Sequence, residues 1–530
     1  MNKKPILLKD IISLMRNPTS DDIALVTKAH DFVKKAHADQ VRFSGEPYFI
    51  HLIATAYNLA ELGMGATTIA AGFLHDCIED VGTTPEEIIK EFGEEICFLI
   101  EGVTKLGKIR YQGAERHNES LRKLFIATSQ DLRVLIIKLA DRLHNIQTLQ
   151  YVRPDKQLRI ATETLQIYAP IAYRLGIRKL SRGLEDTAFP YVYPKEYETT
   201  TKLLRQKKQE TDESLFKFIK SLRKVLANHK YAHIHTDHRI KGVYSLYKKL
   251  ERKEHDIEKV YDINAIRIVV PKTTDCYQVL GIIHSTWRPL PGRIKDYIAF
   301  PKPNGYQSLH TTIFTGDGGI IELQIKTPEM YQESEYGVTS HIAYKASKKE
   351  KGYRPNLGWI RHLLPKESNW HNGQTSNIEK PIPVWIKELI EYQKQKKDNN
   401  GYEEDLKADF FTERIFVFTP KGDVVDLPLD STPVDFAYTI HSDIGNHTVG
   451  CKINGKYSAL NSKLKNGDIV EVESKKTGKP NAKWLEFVKT TIASRHIKNY
   501  FDIPHKKPIK SRPKTRAASK TTKDTKEKRK

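Results

Sequence analysis

No apolar run in the 530-residue chain approaches the ~20 residues of a membrane span, and the opening MNKKPILLKD has too short an apolar stretch for a secretory signal. The expectation is a soluble, cytoplasmic protein with no membrane partner. Cysteine is scarce. Cys77, Cys97, Cys276 and Cys451 lie far apart with no paired spacing, so neither a disulfide framework nor a cysteine-ligated zinc site is indicated, and reduced thiols are expected. Acidic residues are outnumbered: 65 Asp and Glu against 87 Lys and Arg leave a net charge of +22, which suits anionic partners. Much of that excess is local, because residues 505–530 carry twelve Lys or Arg against Asp524 and Glu527, about +10. The other 504 residues hold about +12, a moderate bias that nucleotide sites account for. A hydrophobic content of 39% supports packed cores, and the length suits three or four domains.

Residues 1–195 read as all helical, with long amphipathic runs punctuated by Gly and Pro. One constellation stands out there. His51 follows RFSGEPYFI, GFLHDCIED places His75, Asp76, Glu79 and Asp80 within six residues, and KLADRLHNIQTL adds Asp141, Asn145 and Thr148. At helical spacing His75 pairs with Glu79 and Asp76 with Asp80, while Asp141, Asn145 and Thr148 line one stripe of another helix. Val134, Leu135, Ile136, Ile137, Leu139 and Leu143 imply that this second helix is buried, so an isolated Asp141 carboxylate would be costly there. The acidic residues of the cluster are expected to be buried and to require a metal. Two histidines and two carboxylates suit a first-row divalent ion with open positions for water and substrate. The competing reading is a helix end with exposed acids and a core histidine.

A second concentration of polar chemistry is RIKDYIAFPKPNGYQSLH, from Arg293 to His310. Pro301, Pro303 and Asn304-Gly305 impose a tight turn that delivers Tyr306 directly after it. Tyr306 can stack on a base, with Arg293, Lys295, Lys302 and His310 supplying donors for phosphate or base edges. A surface hairpin whose tyrosine packs on its neighbours is the alternative. Asp262 opens the β-branched run DINAIRIVV, and GGIIELQIKT alternates so that Glu322, Gln324 and Lys326 share one face of a half-buried strand. Asp262 and Glu322, facing across a sheet, can hold magnesium for phosphoryl-group transfer. Upstream, Arg239, Lys241, Ser245 and Lys249 lie near a helix start and form either a triphosphate grip or a solvated basic face.

From Arg239 to Lys345 the text RIKGVYSLYKK, YDINAIRIVV, HSTWRPLPGRIKDYIAFPKPNGYQSLHTT, IELQIKT and EYGVTSHIAYK resembles the synthetase domain of RelA/SpoT homologues. Those enzymes make and degrade the alarmones ppGpp and pppGpp. The resemblance implies pyrophosphate transfer from ATP to the 3′-hydroxyl of GDP or GTP on an α/β nucleotidyltransferase-like fold. Asp262 and Glu322 would then hold Mg2+, and Glu322 would take the hydroxyl proton. Tyr306 would stack on guanine, with Lys302, Asn304 and His310 near the acceptor, while Arg239, Lys241, Ser245 and Lys249 face ATP and Gln324 is a further substrate-binding residue. RIKD resembles the variant of bifunctional members rather than the acidic variant of synthetase-only ones. His238, Ile240 and Lys326 stand where the family usually has glycine, proline and arginine.

RFSGEPYFIHLI, HDCIED and KLADRLHNIQTL resemble the HD-type hydrolase domain of the same family. That likeness implies Mn2+ held by His51, His75, Asp76 and Asp141, with Glu79 and Asp80 preparing the water that removes the 3′-pyrophosphate, and Arg42, Asn145 and Thr148 on the nucleotide. Phe43, Leu52 and Gln147 depart from the usual lysine, proline and arginine. Residues 412–475, through VFTPKG, STPVDFAYTIHSDIG and NGDIVEV, resemble a TGS domain, a small α+β ubiquitin-like fold that in this family can contact tRNA; Asn446 replaces a frequent histidine, and a packing module is the alternative reading. The expected order is an HD hydrolase at 1–195, a helical connector at 196–232, a synthetase at 233–345, a linker with helix at 346–411, TGS at 412–475, a helical remnant at 476–504 and a disordered basic tail at 505–530. No segment resembles the zinc-finger and ACT domains of long members. A bifunctional synthetase and hydrolase is the reading, with tRNA or the ribosome as a further partner through the TGS domain and tail. The rivals are an HD phosphohydrolase with a decayed synthetase, and a weakly catalytic tRNA- or ribosome-binding regulator.

Overall fold

The computed structural model describes residues 5–107, 131–260, 262–302, 304–316, 319–339 and 414–502. The expected linker helix of 346–411 and the tail of 505–530 lie outside the described residues. Among the described residues no helix is long and apolar enough to cross a membrane.

The amino-terminal region is helical throughout: α1 (Leu8–Leu14), α2 (Ser20–Ala36), α3 (Phe49–Glu61), α4 (Ala66–Leu74), a π-helical segment (Cys77–Val81), α5 (Pro85–Phe92), α6 (Glu94–Gly107) and α7 (Leu132–Gln147), followed by α8 (Pro154–Glu163), a second π-helical segment (Thr164–Tyr168), α9 (Ala169–Arg174) and α10 (Arg178–Val192). Local chemistry sets several starts. Thr19 with Asp22 and Thr84 with Glu87 form reciprocal caps, the second reinforced by Pro85 in the first turn. Helix α4 is buried at every position but Thr67 because it packs between α2, α3 and α6. A Cβ on Gly72 would stand 2.2 Å from Leu59 Cδ1, so any larger residue would force the buried Leu59 side chain to shift where α3 meets α4, the helices that carry His51 and lead into His75.

Helix α11 (Pro194–Asn228) is more than a connector. Its Leu215, Phe218, Leu222 and Leu226, spaced for one helical face, enter the core of the following sheet with Ile266, Ile268, Ile313, Leu323 and Ile325. That sheet has the order β1-β2-β5-β4-β3, from β1 (His235–Ile240), β2 (Asn264–Val269), β3 (Lys295–Asp296), β4 (Leu309–Phe314) and β5 (Ile320–Lys326). The β2/β5 pair is parallel, the others antiparallel. Helices α12 (Val243–Arg252), α13 (Thr273–Thr286) and α14 (Pro328–Tyr336) complete this α/β domain. Strand β5 is not half buried as its alternation implies: Gln324 and Lys326 on its polar face are 5% and 1% exposed. The cause is tertiary, since Tyr306 and Ser334 of α14 lie within reach of the Lys326 ammonium. The helical region closes against this face. Gly337, at φ +52°, lies so near that a Cβ would meet Leu175 O at 2.3 Å, and Val338 N–H donates to Leu175 O (3.0 Å).

The carboxy-terminal α+β unit has a hairpin, β6 (Arg414–Phe418) with β7 (Val424–Pro428), turning at Gly422 with φ +90°. A second sheet orders β10 (Val470–Ser474), β8 (Thr448–Ile453) and β9 (Lys456–Ser458), around helices α15 (Pro433–Ile440) and α16 (Ser442–Asn446). The fully buried Asp435 accepts from Lys489 N, Thr490 N and Thr490 Oγ1, tying the final helix α17 (Thr491–Tyr500) to this unit.

Candidate active sites

In the helical region α3 supplies His51, the end of α4 supplies His75 and Asp76, and α7 supplies Asp141. His51, His75 and Asp141 each place one ligand atom within 4.8 Å of the others, all buried. Asp76 joins them: its Oδ2 lies 3.2 Å from His75 Nε2 and 3.6 Å from His51 Nε2. His75 Nδ1 donates to Gly72 O (2.8 Å), which directs Nε2 inward, and that buried nitrogen has no hydrogen-bond partner. Burial works against charge on His75, yet Asp76 and Asp141 outweigh it and raise this imidazole to about 10. The centre therefore favours positive charge. Burial opposes ionisation of Asp141, but Lys138 and the two histidines hold it well below the carboxylate range; Lys138 donates to Oδ2 at 2.8 Å. An orphaned inward nitrogen and a nitrogen/oxygen donor set fit a divalent first-row ion.

The other residues expected at this site occupy different places. Glu79 and Asp80 are exposed, not buried: the π-helical segment Cys77–Val81 keeps Cys77 in the core and turns these two acids to solvent. Asp80 still neighbours Tyr48, whose hydroxyl donates to Asp76 Oδ2 (2.8 Å). Arg42 and Asn145, expected on the nucleotide, bond into the cluster. Arg42 donates to Asn145 Oδ1 and His144 Nδ1, both 2.9 Å, and Asn145 Nδ2 donates to Asp141 Oδ1 (2.5 Å). Thr148 caps the end of α7, its hydroxyl given to His144 O (3.1 Å) and Asn145 O (3.4 Å). Phe43 is 81% exposed beside Arg42, and Leu52 is fully buried. Sequence reasoning missed Lys138, Tyr48 and His144. Lys138 was signalled by its position three residues before Asp141; the other two carried no local signal.

At the sheet, Asp262 ends the loop into β2, and Glu322 lies on β5 opposite Ala265 of β2. Asp262 accepts from Lys241 (2.6 Å) and from Lys249 of α12. Burial acts against its charge, but these two ammonium groups keep it well below the carboxylate range. Burial lowers Lys241 to about 7 despite Asp262. Glu322 meets His310 Nδ1 (3.2 Å) and Gln324 Nε2 (2.9 Å), which outweigh its burial and bring it to about 2. Burial takes His310 down to about 4, so it is neutral, and its Nε2 lies 2.6 Å from the Tyr306 hydroxyl.

The turn delivers Tyr306 as its residues imply, with Gly305 at φ +76° and Gly305 N–H donating to Lys302 O (2.8 Å). Tyr306 is nonetheless 2% exposed. Arg178 of α10 lies 4.7 Å from its ring centroid, Lys326 4.8 Å and Lys302 5.3 Å, so cations cover the surface expected to take a base. Asn304 donates to Tyr173 O (3.5 Å). Lys302 and Lys326 are lowered to about 7, by burial first and the neighbouring Arg178 second. Arg239, on β1, is lowered by burial and by Arg178. Ser245 Oγ faces Glu185 of α10 (3.5 Å). Arg293 and Lys295 are exposed at the sheet edge, where Lys295 pairs with His310 in the ladder. Arg178, Glu185 and Asp186, which accepts from Tyr244 N (3.0 Å), come from the helical region and were invisible in the motif.

Residues 29–178 match the HD domain, 238–349 the region found in RelA/SpoT proteins, and 415–473 the TGS domain. The chain is similar to a guanosine-3′,5′-bis(diphosphate) 3′-pyrophosphohydrolase of Aquifex aeolicus (44% identical, covering 90% of this chain and 64% of the relative). A GTP pyrophosphokinase of Myxococcus xanthus is 42% identical, over 90% of this chain and 60% of the relative. A bifunctional (p)ppGpp synthase/hydrolase RelA of Mycobacterium tuberculosis is 38% identical, over 91% and 63%. The chain thus spans 60–64% of the length of these three. With three family regions in this order and such identity across nine tenths of its length, the chain belongs to the RelA/SpoT homologue family.

Proposed function

We propose that the chain is a bifunctional alarmone enzyme: it transfers pyrophosphate from ATP to the 3′-hydroxyl of GDP or GTP, and hydrolyses (p)ppGpp to GDP or GTP and pyrophosphate. The observation that carries this is the presence of two separate constellations, each with carboxylates held ionised by its own partners. For hydrolysis, His51, His75, Asp76 and Asp141 would hold manganese, which when bound supplies an activated water and neutralises phosphate charge. Glu79 and Asp80, exposed at the mouth, orient that water and accept its proton as the bond from phosphorus to the 3′-oxygen breaks.

For synthesis, Asp262 and Glu322 offer the oxygen donors that magnesium prefers. Lys241 and Lys249, paired with Asp262 here, exchange that carboxylate for the ATP phosphates when substrate arrives. The ionised Glu322 accepts the 3′-hydroxyl proton as the oxygen attacks the β-phosphorus and AMP leaves, and the neutral His310 steadies Glu322 from behind. Cytoplasmic location accords with these substrates. Pure protein given ATP, GDP and Mg2+ should yield ppGpp and AMP; given ppGpp and Mn2+, it should yield GDP and pyrophosphate. Hydrolysis alone favours the decayed-synthetase rival, and neither activity favours the binding regulator. The proposal extends to RNA contact by the TGS domain and the basic residues 505–530, which hold about +10. Deleting those residues should flatten the salt dependence of tRNA binding, whose slope is about −0.7 per neutralised phosphate; an unchanged slope removes the tail from that role.

A further inference from the structure

His144 lies in none of the roles above, yet it sits where the orientation of the helical site is decided. It is 8% exposed on α7, three residues after Asp141, and its Nδ1 is approached from two directions. Arg42 Nη1 lies 2.9 Å from it, and so does His51 Nδ1. A guanidinium has hydrogens on every nitrogen and no acceptor, so Arg42 donates. His144 Nδ1 must therefore be the bare, accepting nitrogen of its ring. A bare nitrogen cannot donate to His51, so the 2.9 Å contact between the rings requires His51 Nδ1 to carry its hydrogen.

The consequence lies at the opposite edge of the His51 ring. A neutral imidazole with its hydrogen on Nδ1 has a lone pair on Nε2, and that atom faces Asp141 Oδ1 (3.3 Å) and Asp76 Oδ2 (3.6 Å). A lone pair against carboxylates is unfavourable until a cation lies between them, so without one it is the contact with His144 that holds this tautomer. His75 achieves the same orientation by giving Nδ1–H to the Gly72 carbonyl. His51 uses a side chain from α7 instead, and Arg42 fixes which way that side chain accepts.

We propose that His144 is a positioning residue of the hydrolytic centre: with Arg42 donating to its Nδ1, it holds His51 in the Nδ1–H tautomer and so presents Nε2 to a divalent cation. This rests on the reading of His51, His75, Asp76 and Asp141 as a cation site. It also gives Arg42 two tasks at once, because the same guanidinium donates to Asn145, whose amide donates to Asp141 Oδ1. One arginine on the loop before α3 thereby orients ligands on both α3 and α7. Partners of this kind change metal affinity by about 10–100-fold when removed.

The test uses the full chain. His144→Leu removes the acceptor, whereas His144→Asn can return an oxygen near the position of Nδ1. Mn2+ titrated calorimetrically should bind His144→Leu about 10–100-fold more weakly than wild type, with His144→Asn restored to within about threefold. In metal-free wild type, 15N–1H correlation of the imidazole rings, with His51 assigned by its loss in His51→Gln, should show hydrogen on Nδ1 and a bare Nε2. Wild-type Mn2+ affinity in a folded His144→Leu, or an Nε2–H tautomer of His51 in wild type, overturns the proposal. If His144→Leu does not fold, the wild-type tautomer decides. Failure of wild type to bind Mn2+ at all instead overturns the cation site itself.

Discussion

The two candidate sites solve the problem of burying acid in opposite ways. In the helical region the inward atoms of His51, His75, Asp76 and Asp141 converge from separate helices, the two acids raising the His75 imidazole, and Lys138 sits on the outer oxygen of Asp141. At the sheet, Asp262 is already neutralised by two lysines, Glu322 is bonded to His310 and Gln324, and the Tyr306 ring is covered by Arg178. The first arrangement is ready for a cation, and the second must be opened by its substrates. Packing explains the contrast. Rigid helices in close contact at Gly72 fix the first site, whereas a turn and long flexible side chains build the second.

The strongest way to break this comparison is to show that the sites are not separate. Asp76→Ala should abolish Mn2+-dependent ppGpp hydrolysis and leave synthesis within about threefold. Glu322→Ala should lower synthesis by about 10²–10⁴-fold, the usual scale of a lost general base, and leave hydrolysis intact. Steady-state rates of both reactions on folded variants check this, and loss of both activities in either variant contradicts it.

The next effect concerns the cover over Tyr306. A cation over an aromatic ring contributes about 0.5–2 kcal/mol, and a stacked base about 1–3 kcal/mol. Arg178→Ala should therefore free the ring and lower the KM for GDP in synthesis by about 2–30-fold, with hydrolysis unchanged. A raised KM would show instead that Arg178 itself grips the nucleotide.

A smaller effect follows from protonation. Lys302 and Lys326 titrate near 7, mainly because they are buried, against an ordinary value near 10.5. Below 7 they are charged and can hold phosphate, so GDP affinity should fall several-fold between about pH 6.5 and 8.5 as both lose their protons. For stability, a folded value below the unfolded one means the unfolded chain binds more protons between about 7 and 10.5. The burial penalty is fully present below 7 and is relieved as pH rises through that window, so this contribution to stability increases with pH. Lys326→Met should remove its share of the increase and raise stability at pH 7 by about 1–4 kcal/mol, measured by denaturant titration across pH. A stability loss at pH 7 would mean the ammonium is held by stronger partners than Tyr306 and Ser334.

Most of the architecture is legible in the sequence because periodicity reports burial directly: the apolar run of α7, the β-branched β2 and the Lys421-Gly422-Asp423 turn all appear where their patterns put them. The cluster of His51, His75, Asp76 and Asp141 is legible through the family motifs and not through spacing, since its members come from separate helices and the i, i+4 partners Glu79 and Asp80 are exposed. What the sequence does not carry is the outcome of long-range packing. The alternation of β5 reads as half buried, but Tyr306 and α14 cover its polar side. Arg178 and Tyr306 are 128 residues apart, the difference of their numbers, and nothing in either motif announces their contact. Likewise HDCIED reads as regular helix, yet the turn after Asp76 is π-helical and its Glu79 and Asp80 face solvent.

The smallest expected effect sharpens the helical site from within. Asn145 and Thr148 stand on the same stripe of α7 by spacing, yet the fold gives them different partners. Asn145 accepts from Arg42 and donates to Asp141 Oδ1, so Asn145→Ala leaves a buried ligand carboxylate and a guanidinium each short of a partner, and should lower hydrolysis by about 10–100-fold. Thr148 gives its hydroxyl to carbonyls of its own helix, in the last turn where carbonyls have no intrahelical backbone partner. Thr148→Val keeps the shape and removes only that local bond, so it should cost less than about 1 kcal/mol of stability and change the rate by less than about threefold. A loss as large as that of Asn145→Ala, measured at saturating Mn2+ and ppGpp, would show that the threonine turns from its helix to meet the nucleotide. The stripe would then act as one surface, as its spacing alone implies.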